Sequence, residues 1–496
     1  MEKIRRHGDV LLYILALILL VPNVMNLFVY SVESSEAFSV KMGNMHFGEM
    51  LGATANEIHP PLYYAMLQFW IAVFGNVGVA YRALSLIPYL LSVLYALVFL
   101  RKEFGHLCAA VFLACTSLVT TALIYNTHIR NYSWPAFCVL MCYHELYLIL
   151  RDGRRKNYVL LAVFSVLAGY LLYYALLPAG LCYLYLLIVL IAGKRKEELK
   201  NWMLSALLAI AVYLPWLIVF FRTLQSLGGW YWMQEVEPFI NFYKSIFSAR
   251  FSMLWPSLWL LLTAYLLYRD FRKKEGNDAG AAPALSQDTH WILAGVFVVF
   301  GAIAVGFLVS VIVRPLFNPR YLYPASPVAW LSLAAAVGKL KFRKRVVPVC
   351  LAVFLVFQMM SFAKTWQRRS EEDQRTRETV ETVSAKNVQG AFLLSEYPPG
   401  GHDDEIILKM GFTPGPVTEY YFRGMADEVR IDPADPGSWE LSEGMRGFLF
   451  LRETLSEAEQ RILKERGFLV ELLVEDGYLC FKEFVVYYLE PSGDGA

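Results

Sequence analysis

The chain is divided by long runs that contain no Asp, Glu, Lys or Arg. Val10–Val32, Ala83–Leu100, Phe104–Ile129, Asn201–Phe221, Phe251–Tyr268, Thr289–Val313, Tyr321–Gly338 and Val346–Ala363 each hold 18 or more such residues. A helix needs about 20 apolar residues to cross roughly 30 Å of hydrocarbon. Inside that hydrocarbon its backbone must be paired within the segment itself. Asn157–Gly193 holds 37 uncharged residues, too many for one crossing, and predicts a hairpin turning near Tyr173 and Tyr174. Asn131–Leu150 is interrupted only by Glu145, which reads as a structural group near the membrane boundary. These runs predict about eleven transmembrane helices. Of the 496 residues, 57% are hydrophobic and 18% charged, against ~45–50% and ~25% in soluble domains. That balance excludes a disordered chain and a disulfide scaffold, and argues against a wholly soluble enzyme. A formal net charge of +2 gives no global field for a nucleic acid partner.

The basic residues set the expected orientation. They cluster at Lys3-Arg5-Arg6, Arg101-Lys102, Arg151/Arg154-Arg155-Lys156, Lys194-Arg195-Lys196, Arg269/Arg272-Lys273-Lys274 and Lys339-Lys341-Arg343-Lys344-Arg345. Each cluster falls at every second turn of an eleven-span chain that starts in the cytoplasm, which is the positive-inside pattern. A loop that is merely solvated would not alternate in this way. The first span is too long for a signal-peptide core and lacks a clear cleavage site, so it is retained as a helix. The expectation is a multi-pass cell-membrane protein with a cytoplasmic N-terminus and an extracytoplasmic C-terminus.

Residues 1–363 then form the transmembrane domain, with a long first outside loop at residues 31–79. Beyond it the composition shifts. Residues 364–390 read as a helical stalk and residues 391–496 as a small extracytoplasmic α/β domain. In that tail, Ala391–Ser395 and Gly447–Leu451 read as strands, and Tyr397-Pro-Pro-Gly-Gly401 as a loop. Ser456-x-x-Glu459 has the capping-box form and opens a helix ending near Gly467. Phe468–Val474 and Tyr478–Phe484 read as a hairpin turning at Asp476-Gly477. Six of seven cysteines lie in apolar spans, and Cys480 alone is in the tail, so no disulfide is available there.

The outside loops carry the candidate chemistry. The first holds Glu33 and Glu36, three residues apart and just past the first helix. If that helix persists they share a face. Next come His59-Pro60-Pro61-Leu62-Tyr63-Tyr64, where two prolines remove two donors and fix the chain's exit. Leu62–Phe74 suits a helix lying in the interface, with Arg82 at the loop's far edge. Later outside turns hold Tyr125 to Tyr132, including His128 and Arg130; Trp230, Trp232, Glu235 and Glu237; and Arg314 to Pro324, including Arg320 and Tyr321. Arginine or histidine thus recurs beside aromatics at one membrane face. The guanidinium fork suits phosphate, and aromatic faces suit sugar rings and lipid chains. Each residue also has a plainer reading. Glu36 and Glu33 could be solvated helix ends, His59 a packed turn residue, Arg320 a snorkelling side chain, and the tryptophans an aromatic belt.

Taken in order, the acidic exit motif, His-Pro-Pro-Leu-Tyr-Tyr, Phe74–Ser85, Arg130-Asn131-Tyr132 and Pro319-Arg320-Tyr321-Leu322-Tyr323-Pro324 resemble the GT-C membrane glycosyltransferases. The likeness is to bacterial relatives of protein O-mannosyltransferases and aminoarabinose transferases, over roughly residues 10–363. That family usually has Asp-Glu in the first loop and often Lys-Pro-Pro. This chain has Ser35-Glu36 and His59-Pro60-Pro61. The resemblance implies a polyprenyl-phosphate sugar donor and hexosyl or pentosyl transfer, with inversion, to a glycan, lipid or protein hydroxyl. It implies Glu36, or Glu33 in place of the missing acid, as base. It implies His59, Arg82, Arg130, Tyr132, Arg320 and Tyr321 as donor-phosphate or substrate ligands. No cofactor is expected with certainty, and Glu33, Glu36 and His59 are residues that could hold a divalent metal with phosphate. Membrane lipids are expected partners. Two other classes compete: a lipid-linked sugar transporter or flippase, which calls for ionisable groups at span midpoints, and a non-catalytic assembly protein displaying its C-terminal domain.

Overall fold

Each uncharged run contains a helix, because an apolar backbone without water satisfies itself most simply that way. The computed structural model describes residues 2–56, 59–226, 244, 246–247, 253–275, 285–312, 318–339, 346–386, 392–396, 417, 420–422, 428–431, 446–451, 453–479 and 482–492. In chain order the helices are α1 (Glu2–Met25), α2 (Ser34–Asn44), α3 (Phe47–Ala55), α4 (Leu62–Phe74), α5 (Gly78–Tyr95), α6 (Arg101–Glu103), α7 (His106–Leu118), α8 (Thr120–Tyr125), α9 (Ser133–Asp152), α10 (Arg155–Leu171), α11 (Leu176–Ala192) and α12 (Lys196–Ser226). They continue with α13 (Leu254–Glu275), α14 (Gln287–Ile312), α15 (Ser326–Lys339), α16 (Val346–Ala385) and α17 (Glu457–Glu465). The strands are β1 (Phe392–Glu396), β2 (Glu428–Ile431), β3 (Gly447–Leu451), β4 (Phe468–Leu479) and β5 (Lys482–Pro491). Trp230, Trp232, Glu235, Glu237, Arg314, the Tyr397–Gly401 loop and Cys480 lie outside the described residues.

Among the described residues, seven helical segments are by themselves long and apolar enough to cross a membrane. Large apolar side chains such as Leu11, Leu17, Leu261 and Ile312 are exposed along the helices, as a lipid-facing surface requires. The chain is a polytopic helical membrane protein. The expected hairpin turns at Tyr173–Ala175, a short 3-10 segment between α10 and α11. Two expected spans are only partly helical. In Phe104–Ile129, Val119 adopts an extended conformation and separates α7 from α8. In Tyr321–Gly338, Pro319–Ala325 is a 3-10 segment before α15 begins. Leu62–Phe74 is a separate helix of 13 residues, at 1.5 Å per residue about 20 Å long and too short to cross alone.

The residues group into two compact units: Met1–Leu27 with His46–Phe362, and Phe28–Met45 with Ala363–Ala496. In the first, close helix packing depends on small residues. A Cβ on Gly295 would meet the Ser332 side chain at 2.5 Å, so α14 and α15 approach there only because the residue is glycine. Trp291 stacks on Tyr143 at 4.7 Å, its indole N–H donates to the Tyr143 carbonyl, and the Tyr143 hydroxyl donates to the Trp291 carbonyl. Glu145 is buried and accepts from Asn157 at 2.7 Å, so it pins α10 to α9. The basic helix ends are tied to one another. Arg101 and His106 both meet Asp9, Arg151 meets Glu103, and Lys339 meets Asp288.

The second unit contains a five-stranded sheet in the order β2-β1-β3-β5-β4. β1 runs parallel to β2 and β3, whereas β5 is antiparallel to β3 and β4. Alternation of side chains gives it two buried faces. Leu449, Leu451, Val485, Tyr487 and Leu489 pack with Leu463 of α17. Phe448, Phe450, Val486 and Tyr488 pack with Val380 and Val383 of α16. The Ser456–Glu459 capping box forms, and Gly467 ends that helix region at a φ of 84°. The hairpin also forms, but its turn is misplaced in the sequence reading. Asp476-Gly477 lies inside β4, at the second of two register shifts, and the strands stay paired out to Leu479 and Lys482. Gly477 pairs with Phe484, whose carbonyl oxygen would sit 2.8 Å from an added Cβ. Glycine there serves a bulged strand's close approach rather than a tight turn.

Candidate functional site

The basic and aromatic residues of three inter-helix turns converge within the first unit. His59 ends the chain before Pro60 and Pro61. Pro61 is the N-cap of α4, so the missing proline N–H leaves no unsatisfied donor at the helix start. Arg130 follows the end of α8, where Asn126 is the C-cap. Arg320 sits in the 3-10 segment, whose first turn is capped by the Asn318 side chain accepting from the Arg320 N–H at 3.1 Å.

Asn126 couples these turns. Its amide donates to Asn23 at 2.9 Å and to the Thr116 carbonyl at 3.0 Å, and its oxygen accepts from the Tyr323 hydroxyl at 3.2 Å. Tyr125 lies 4.7 Å from both Tyr132 and Tyr323. Tyr321 stacks on Tyr174 at 4.7 Å, and the Arg320 guanidinium carbon lies 5.5 Å from the Tyr321 ring centre. The Arg82 guanidinium, 1% exposed, reaches the Thr127 carbonyl at 3.4 Å and so braces the Arg130 turn.

At the centre, Arg130 Nη2 lies 2.6 Å from His59 Nε2, and Arg130 Nη1 is 3.4 Å from the Tyr64 hydroxyl. His59 is 5% exposed and Arg130 7%. A guanidinium can only donate, so His59 Nε2 is the acceptor and the neutral ring carries its proton on Nδ1. Among the described residues that buried Nδ1 has no hydrogen-bond partner. A buried donor left unsatisfied costs about 1–3 kcal/mol, which an incoming oxygen would recover. The Arg320 charge also acts on both His59 and Arg130. Like charges drawn together in a buried place repel, and an anion there would offset that repulsion.

The carboxylates lie in the second unit, and their local structure differs from the sequence reading. The first helix does not persist. It ends at Met25, and Glu33 is the N-cap of the separate helix α2. Glu33 and Glu36 form a reciprocal capping box, with the Glu33 N–H donating to Glu36 Oε2 at 3.0 Å. Glu36 is 1% exposed and Glu33 is exposed. Both stand at a helix N-terminus, where the backbone favours negative charge. Among the described residues no three His, Cys, Asp or Glu side chains gather as a metal site.

Tyr64, Tyr125 and Tyr174 are part of the cluster although the sequence reading gave them no role in it. Tyr64 could have been found from its place in the His-Pro-Pro-Leu-Tyr-Tyr motif, one helical turn into α4. Nothing local marks Tyr174, whose partner is 147 residues away by subtraction of 174 from 321.

Comparison with known proteins agrees with this architecture. Residues 58–219 match the family model described as dolichyl-phosphate-mannose-protein mannosyltransferase. Two solved structures of ArnT from Cupriavidus metallidurans, one in the apo state and one bound to undecaprenyl phosphate, each superpose with a TM-score of 0.54 at 12% identity. Each alignment covers 96% of this chain and 97% of ArnT. The fold is GT-C. No curated protein sequence matches the chain. The GT-C resemblance read from the motifs is thus borne out in the fold. The matched segment contains His59, Arg82, Arg130 and Tyr132; Arg320 and Tyr321 lie beyond it.

The His59 geometry has a pH consequence. Burial first, then the charges of Arg130 and Arg320, hold its imidazole well below the usual value of 6.5. The folded protein therefore stays unprotonated there while the unfolded chain takes up a proton near pH 6.5. The stability contributed by neutral His59 is complete above about pH 6.5 and is lost as pH falls below it, by up to about 1.4 kcal/mol per pH unit. Thermal unfolding of wild type and His59→Gln between about pH 7.5 and about pH 5 checks this. The wild-type midpoint should fall more steeply on acidification. Parallel pH profiles would show that His59 titrates normally.

Proposed function

We propose that the protein is an inverting glycosyltransferase that moves a hexose or pentose from a polyprenyl-phosphate donor to an acceptor hydroxyl at the outer membrane face. The observation that carries this reading is the buried His59–Arg130 contact beside Arg320, a built place for a phosphate group. The fold shared with ArnT, which has been seen with undecaprenyl phosphate, supports a lipid phosphate as the source of that group.

Arg130 and Arg320 would grip the phosphate oxygens, as planar forks do, and the His59 Nδ1–H would donate to a third oxygen. Tyr132 and Tyr321 would flank the head group, and Arg82 would hold the Arg130 turn in place. The acceptor oxygen attacks the anomeric carbon, and the bond from that carbon to the phosphate oxygen breaks. The electron pair leaves with the lipid phosphate, where the cations stabilise the developing charge. One displacement inverts the centre, through a transition state with oxocarbenium character. The acceptor's proton passes to a carboxylate of the Glu36/Glu33 pair. The acceptor is a glycan, lipid or protein hydroxyl.

Turnover of a polyprenyl-phosphate sugar by the purified full chain tests the reading. Positioned proton transfer is worth ~10²–10⁴ in rate, so Glu36→Gln should bind donor and lose at least about a hundredfold in turnover. A larger loss in Glu33→Gln would move the base to Glu33. Full activity in both single variants and in the double variant would remove the pair from the chemistry.

The outer-face assignment rests on the basic residues at alternate turns. With Cys350 and Cys480 replaced by serine, Ser456→Cys should react with an impermeant thiol reagent added to intact cells. Reaction only after permeabilisation would invert the topology and overturn the outer-face acceptor.

A further inference from the structure

The segment that leads into the acid-bearing helix α2 is held by side chains from the C-terminal segment of its own unit. The Asp373 carboxylate, on α16, accepts from the Tyr30 N–H at 2.8 Å and the Ser31 N–H at 2.9 Å, and also from the Ser31 hydroxyl. The Ser31 hydroxyl lies 3.2 Å from Thr376 Oγ1, one turn further along α16. The Tyr421 hydroxyl accepts from the Val32 N–H at 3.0 Å and donates to the Tyr30 carbonyl at 3.1 Å. The Tyr30 ring lies between Tyr421, 5.3 Å away, and the Arg377 guanidinium, 4.2 Å away, and packs against the sheet core around Phe448 and Tyr488.

Three consecutive backbone units, Tyr30 to Val32, are therefore fixed by side chains more than 340 residues later. The next residue is Glu33, the N-cap of α2. Residues 29–33 belong to no helix or strand, so their backbone N–H groups depend on partners such as these. A carboxylate that must meet a hydroxyl at hydrogen-bond distance tolerates little movement, since a misplacement of about 1 Å can cost about a hundredfold in rate.

We propose that Asp373 and Tyr421 are positioning residues that set the Glu33/Glu36 carboxylate pair for catalysis, and that this is a function of the C-terminal unit. The proposal rests on the reading that this pair accepts the acceptor's proton. Asp373→Asn replaces one acceptor oxygen by a donor that opposes the backbone N–H groups. Tyr421→Phe keeps the ring and loses both hydrogen bonds.

The test is kcat and donor Kd for the full-length protein in detergent, with Asp373→Asn and Tyr421→Phe made alone and in the Glu33→Gln/Glu36→Gln background. Each single variant should lose about tenfold to a hundredfold in kcat, with donor Kd unchanged. In the background lacking both carboxylates neither should cause a further loss, because a residue acting through another has nothing left to act on. Losses that multiply in that background, or an unchanged kcat in both single variants, would overturn the proposal. If Asp373→Asn does not fold, Tyr421→Phe decides alone. Full activity of the Glu33→Gln/Glu36→Gln protein itself would instead remove the proton-acceptor reading on which the proposal stands.

Discussion

A guanidinium buried against a neutral imidazole sets the terms for the first unit. Removing the Arg130 charge from water is costly, and its contact with His59 ties up the imidazole's lone pair while leaving a second donor on the other ring nitrogen. That arrangement needs a rigid surround. Asn126 provides it by joining Asn23 of α1, the Thr116 carbonyl of α7 and Tyr323 of the 3-10 segment. The Arg130 turn and the Arg320 turn are thereby set by the same amide side chain. The stacked Tyr321–Tyr174 pair then anchors the second arginine's segment to the α10–α11 hairpin. Asn23, Asn126 and Tyr323 are paired with one another, as a bilayer-embedded fold favours.

The second unit solves a different problem. Helix α2 is only 11 residues long, and a helix of that length is marginal by itself. Its capping box helps satisfy its own first turn, while Asp373 and Tyr421 fix the residues that lead into it. Asp373 acts from α16, and Tyr421 from beside the sheet core against which it packs. A soluble-looking tail and a short acidic helix near the N-terminus thus form one compact body, although they are far apart in sequence.

Much of this was legible in advance where one physical rule acts alone. The hairpin at Tyr173–Ala175 follows from run length against bilayer thickness, and the Ser456–Glu459 cap from local hydrogen bonding. The GT-C fold followed from ordered motifs that no single residue type would have revealed. One detail failed because a local signal admitted two structures. Asp476-Gly477 is a common turn pair, but Gly477 instead admits the Phe484 carbonyl inside a bulged strand. A shared face for Glu33 and Glu36 depended on the first helix persisting, and that helix ends at Met25 while α2 begins at Ser34. The partners Tyr174, Asp373 and Tyr421 were beyond reach for a further reason. Their contacts depend on tertiary proximity, which neither periodicity nor a short motif encodes.

Direct binding of a short-chain polyprenyl phosphate, without sugar, tests the central claim most closely. Its dissociation constant can be measured by titration calorimetry or phosphorus NMR for wild type, Arg130→Ala and Arg320→Ala. If the buried cluster is the phosphate site, each variant should weaken binding at least about tenfold, or about 1.4 kcal/mol. Arg320→Lys should fall between wild type and Arg320→Ala, since it keeps the charge but not the fork. Equal affinity in all four proteins would contradict the account and leave the cluster as a structural feature of the fold.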